Sequence, residues 1–144
     1  MPVTQLFSEG AAPLAVINPA SYNSEQNTTL VNVAKYHRIA IVLHVGAIGT
    51  SLDADVEIAT DSGGTGLHTL KSVTQMTSGD PNELVVIEID PAEMVDPTGS
   101  SSSNYDWLRL EVTPVGSVLF SAIVYGIEGR YRPEASSNWD EVVN

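Results

Sequence analysis

No cysteine occurs among the 144 residues of this chain. That excludes disulfides and thiolate metal sites alike, and it fits a protein made in a reducing cytoplasm. Basic side chains are scarce as well: six Lys and Arg stand against 18 Asp and Glu, a formal charge of −12. Such a surface repels a phosphate backbone, and nucleic-acid binding needs clustered Lys and Arg to displace counterions. The nearest thing to a cluster, "GRYR" at 129–132, is too small to overcome that field. Nucleic acid is therefore not expected as a partner. Nor does any apolar run approach the roughly 18 residues needed to cross a bilayer. The opening stretch "MPVTQLFSEGAAPLAVI" has no basic leader, and Pro13 interrupts its apolar part, so a signal peptide is not expected. These absences predict a soluble protein made in the cytoplasm, with no membrane partner.

Helical periodicity is also missing. Alternation and short β-branched runs dominate instead. Strands are predicted at 4–7, 13–18, 29–33, 37–45, 53–60, 67–76, 83–90, 105–113 and 117–129. The segments "GAIGTS", "DSGGTG", "TSGDPN" and "TPVG" lie between them, where Gly and Pro or Asp supply turn geometry. One helical turn is expected at "PAEM" (91–94), with Asp90 as its N-cap. "GSSSSN" at 99–104 reads as a low-complexity loop. The pattern predicts an all-β chain: one domain, a β-sandwich or jelly roll of about eight or nine antiparallel strands with extended terminal arms. Its core would span about 13–133, with an N-terminal arm at 1–12 and a C-terminal tail at 134–144.

The most apolar run, "KYHRIAIVLHVGAIGTSL" at 35–52, holds two of the three histidines. Side chains alternate across a strand, so His37 shares a face with Ile39, Ile41, Leu43 and Val45. His44 falls on the other face, with Arg38, Ala40 and Val42. The two imidazoles cannot share a metal unless a bulge intervenes, and no nearby pattern completes a site for His68. This is a core strand. In "DADVE" at 53–57, Asp53, Asp55 and Glu57 share a face. Three carboxylates suit Ca²⁺ in principle, but a strand spaces them about 7 Å apart and the EF-hand spacing is absent. The solvated side of an amphipathic strand is the simpler reading, so no metal or cofactor is expected.

Catalytic signatures are likewise wanting. Glu88 with Asp90, or Asp106 with Glu111, offers paired acids for glycoside hydrolysis, but that chemistry needs a cleft that a thin sandwich rarely leaves. There is no G-x-S-x-G elbow, and "SGGTG" at 62–66 lacks the Lys and helix of a phosphate-binding loop. The chain is expected not to be an enzyme. Trp107 falls by alternation with the polar set Tyr105, Arg109 and Glu111. In the arms, Leu6, Phe7, Trp139, Val142 and Val143 are apolar without an evident place in the core. Apolar arm residues cost solubility unless they find a surface, so these five are the candidate contacts with a neighbouring chain or shell. A tail tryptophan such as Trp139 docks on its own domain or on another chain.

The run "SYNSEQNTTLVNVAKYHRIAIVLHVGAIGTSLDADVEIATDSGGTG" resembles small head-associated structural proteins of tailed bacteriophages. The resemblance continues in "KSVTQM" at 71–76, "NELVVIEID" at 82–90, "YDWLRLEV" at 105–112 and "YGIEGRYRP" at 125–133. It covers residues 20–133 as a pattern of turns and strand starts, without a catalytic signature. It implies a capsid cement or decoration protein on the outer surface of the phage head, made in the host cytoplasm. The partners so implied are the major capsid protein and further copies of the chain, as a homodimer or homotrimer. The alternative is a tail- or fibre-associated module that binds glycans, although such modules use exposed rings and this chain has only two Trp and two Phe.

Overall fold

The computed structural model describes residues 6–99, 103–129 and 139–141. Its strands are β1 (Ala11–Tyr22), β2 (Gln26–Asn27), β3 (Val31–Asn32), β4 (Tyr36–Ile48) and β5 (Ser51–Ala59). They continue with β6 (His68–Ser72), β7 (Met76–Thr77), β8 (Leu84–Ile89), β9 (Trp107–Val115) and β10 (Val118–Gly129). One sheet has the order β1-β10-β4-β8; the second has β2-β9-β5-β6, with β3 also on β9 and β7 also on β5. All pairings are antiparallel.

The short pairs β2/β3 and β6/β7 each occupy one strand position, so each sheet has four positions. Along the chain the strands then alternate between the sheets, except at the one step from β5 to β6/β7, which stays within the second. That interleaving is the double Greek key of a jelly roll, as the sequence pattern predicts.

Both sheets turn an apolar side inward. The first contributes Ile39, Ile41, Leu43 and Val45 from β4 and Phe120, Ala122 and Val124 from β10; the second contributes Leu52, Val56 and Ile58 from β5 and Leu108, Leu110 and Val112 from β9. Each fully buried Leu, Ile, Val or Phe stabilises the fold by about 1.5–3 kcal/mol relative to exposure. Gly126 faces this core too, because a Cβ there would lie 2.6 Å from the Tyr36 ring, which is packed against the bare backbone.

Three predicted elements differ in the structure. The strand expected at 4–7 is replaced, within the described residues, by a helical turn at Phe7–Gly10. Glu9 closes it: its carboxylate accepts from Leu6 N (2.9 Å), and its own N–H donates to Leu6 O (3.0 Å). The strand expected at 29–33 pairs only at 26–27 and 31–32. Between them buried Thr28 meets β9 with its side chain, Oγ1 accepting from Leu110 N at 2.9 Å while Thr28 N donates to Leu110 O at 2.9 Å. The strand expected at 67–76 divides into β6 and β7. The turn after β8 forms as expected, a 3-10 turn at Pro91–Glu93 with Asp90 Oδ1 accepting from Ala92 N at 2.9 Å.

Candidate interaction surface

The outward sides of the two sheets carry the side chains free to meet another molecule. On the second sheet that side is polar. Cross-strand register sets Asp53 opposite Thr113, Asp55 opposite Glu111 and Glu57 opposite Arg109. Arg109 Nε donates to Glu57 Oε2 at 2.6 Å and Nη2 to Glu111 Oε2 at 3.5 Å, so one guanidinium serves two carboxylates. Burial raises the Glu111 carboxyl above its ordinary value, and the charges of Glu57, Glu25 and Asp55 add to the rise while Arg109 opposes it. Asp53 accepts from Gln75 Nε2 at 2.9 and 3.1 Å. Of the carboxylate row predicted at 53–57, Asp53 and Glu57 are thus engaged by Gln75 and Arg109 while Asp55 faces Glu111, and among the described residues no group of three His, Asp or Glu is arranged to hold a metal ion.

The outward side of the first sheet is different. Register aligns Val16 with Ile123, Ile123 with Val42, and Val42 with Val86, an unbroken apolar row across β1, β10, β4 and β8. Beside it run Ser121, His44 and Leu84 on one side and Pro13, Tyr125, Ala40 and Glu88 on the other. On this face Val16, Leu84, Val86 and Leu119 are 53%, 69%, 62% and 47% exposed. Toward the ends of β4 and β8 the face becomes charged: a groove of about 380 Å³ there is lined by Arg38, Glu88, Asp90, Glu93 and Glu128 together with apolar strand residues.

The terminal segments reach this same face. Phe7 packs edge-on to Tyr125 at 6.0 Å and against Trp139 at 5.8 Å, and Trp139 lies 6.1 Å from Tyr125. Trp139 also closes one side of a groove of about 330 Å³ over Pro13, Leu14, Val16 and Ile123, and its buried Nε1–H has no hydrogen-bond partner among the described residues. Of the five arm residues singled out in the sequence, Phe7 and Trp139 are therefore brought together, on the chain's own sheet. Leu6 precedes the helical turn and is 44% exposed, while Val142 and Val143 lie outside the described residues.

Strand parity holds for His44 but not at the start of β4, where Tyr36 is buried and His37, assigned to the side of buried Ile39 and Ile41, is exposed. His44 stands exposed on the apolar outer face between Ser121 and Leu84. His68 lies on β6, its ring 5.0 Å from Tyr105. Tyr105 departs from the polar set assigned by alternation. It precedes β9 and is buried, with its hydroxyl over Gly66.

The residues that sequence reading missed are those of the apolar row. A signal for them exists: β4, β8 and β10 carry apolar residues at both parities, whereas β5 alternates from Ser51 to Ile58 and β9 from Leu108 to Thr113. A strand apolar on both sides belongs to a sheet meant to be covered on both sides.

The chain matches no protein-family model and no curated protein. Among solved structures it is similar to a chain described as "Structure of infectious bursal disease virus Gt strain", with 13% identity and a TM-score of 0.46 over 85% of this chain. This chain spans 35% of the length of that one.

Proposed function

We propose that the chain is a non-enzymatic capsid cement protein of a tailed bacteriophage, bound to the outer surface of the head across junctions between capsid subunits. The observation that carries this reading is the apolar face of the first sheet, which runs through Val16, Ile123, Val42 and Val86 and leaves Val16, Leu84, Val86 and Leu119 exposed, on a chain whose net charge is −12. A strongly acidic protein with one apolar face has a single side suited to docking, and its charge opposes indiscriminate self-association. Burying a half-exposed Val or Leu there would contribute about 1 kcal/mol each. Contacts on two capsid subunits make the second binding effectively intramolecular, so modest surfaces sum to firm attachment. The phage assignment comes from the sequence resemblance at 20–133; the face supplies the means of attachment.

The test uses undecorated mature heads mixed with wild-type protein or with Leu119→Asp and Val16→Asp variants, counting bound copies. Both substitutions lie on the outer face, away from the core, so folding should survive them. Wild-type binding with at least a tenfold loss in each variant is expected. Equal occupancy by wild type and variants would remove this face from the attachment mechanism. The glycan-binding alternative draws support from the three rings of Phe7, Tyr125 and Trp139 beside a groove. Those rings pack on one another rather than form an open platform, and a glycan array separates the two readings.

A further inference from the structure

The two edges of the first sheet are guarded unequally. β1, at one edge, carries Pro13 and Pro19 and shifts register between Pro13 and Ala15 and again between Ile17 and Ala20. Proline offers no N–H and bulges interrupt pairing, so that edge is blunted. β8, at the other edge, has neither device. Its sequence LVVIEI pairs with β4 without a shift and contains one charge, Glu88.

Register shows which of its peptide groups are open. Val45 N donates to Glu83 O at 2.8 Å. With His44 opposite Leu84 and Ile39 opposite Ile89, Val85, Ile87 and Ile89 then belong to the pairs that exchange hydrogen bonds with β4. Leu84, Val86 and Glu88 therefore aim their N–H and C=O groups away from the sheet. Lys71 bears this out. It reaches over from β6 of the other sheet, Nζ donating to Glu88 O at 2.8 Å, and Glu93 holds it there at 2.8 Å. A lysine thus stops one end of the edge, leaving the peptide groups of Leu84 and Val86 facing outward beside their own exposed side chains.

We propose that this open edge pairs antiparallel with the same edge of a second copy, about a two-fold axis beside Val85. In that register Leu84 of each copy lies opposite Val86 of the other. All the outward N–H and C=O groups of these residues are then bonded, while Glu88 O keeps Lys71. Three features of the pairing select a second copy as the occupant. The pairing is self-complementary, as an isologous interface must be, and it sets Val86, where the apolar row ends, against the exposed Leu84 of its neighbour. It also sets each Glu88 opposite Asn82 of the other copy, so no two carboxylates of β8 meet despite the charge of −12. The outcome is a continuous sheet with the apolar face of both copies on one side.

Sedimentation across a concentration series, with hydrogen exchange read at single amides, tests this without any capsid. A dimer is expected, with Leu84 and Val86 amides gaining protection as concentration rises, while Val85 and Ile87 are protected throughout. Val86→Pro removes an N–H that the subunit itself does not use, and Leu84→Lys places a charge at the seam. Each should give a folded monomer by circular dichroism, so that a failure of one to fold leaves the other decisive. A wild-type monomer at every concentration overturns the proposal. So does an assembly in which the Leu84 and Val86 amides exchange freely, since the copies would then meet elsewhere.

Discussion

The second sheet turns carboxylates and a guanidinium to the outside, and the first turns Val, Ile and Leu. Their inner sides are alike, so the contrast isolates what an outer face is for. A half-wet antiparallel sheet needs alternation, and β5 and β9 have it from Ser51 to Ile58 and from Leu108 to Thr113. β10 and β4 lie at the centre of the other sheet and are apolar on both sides, with half-buried Ile123 and Val42 meeting back to back with the core. Among the described residues, Phe7 and Trp139 lie over Tyr125 on that second apolar side.

The largest effect should come from breaking the acidic face. Arg109→Ala leaves Glu57 and Glu111 without their shared partner, and the partly buried site makes that cost about 1–2 kcal/mol in urea unfolding, after allowance for solvent screening. The loss should shrink as salt is added. A loss independent of salt would assign Arg109 a packing role instead.

Next in size is the cover of the apolar face. Trp139→Ala removes two ring contacts and should cost about 1 kcal/mol. Trp139→Phe keeps a ring and deletes the buried indole N–H, which has no partner among the described residues, so it should match or exceed wild type in the same unfolding experiment. If both variants unfold together with wild type, the Trp139 contacts add nothing to stability.

The smallest effect sharpens the contrast electrostatically. Because burial and neighbouring charges raise the Glu111 carboxyl in the folded state, the folded chain binds more protons than the unfolded one between the ordinary and the raised value. Stability contributed by this group is therefore lost as pH rises through that window. Glu111→Gln should stabilise by about 0.5 kcal/mol at neutral pH, discounted for partial exposure, and by nothing at a pH below the ordinary carboxylate range. A pH-independent difference in unfolding midpoint would contradict the assigned cause.

Most of the fold was legible in the residues. Alternation at 53–60 and 105–113 located β5 and β9, and the apolar runs at 37–45 and 117–129 located β4 and β10. Parity separated His37 from His44. The 4–7 segment misled because Leu6 and Phe7 read as strand formers, whereas the carboxylate of Glu9 folds back to the N–H of Leu6 and stabilises a helical turn. Thr28 was illegible for a related reason: nothing in "NTTLVNV" shows that a hydroxyl will take the hydrogen bond of a backbone carbonyl. The candidate surface was half legible. Phe7 and Trp139 stood out as apolar residues outside the core, but their meeting on Tyr125 depends on both ends of the chain returning to one sheet.

The sequence by itself determined the period of the strands, the side on which residues fall along their regular stretches, and the acidic excess. Those follow from local geometry and composition, which require no knowledge of neighbours. Only the tertiary structure decided which strands lie side by side. Val16, Val42, Val86 and Ile123 form one row because the interleaved connections bring four distant segments into register. For the same reason β8 rather than β4 became an edge, and Lys71 came within reach of a carbonyl 17 residues away. Side-chain parity is a property of one strand, whereas a surface is a property of several, and chain connectivity in space is what joins them.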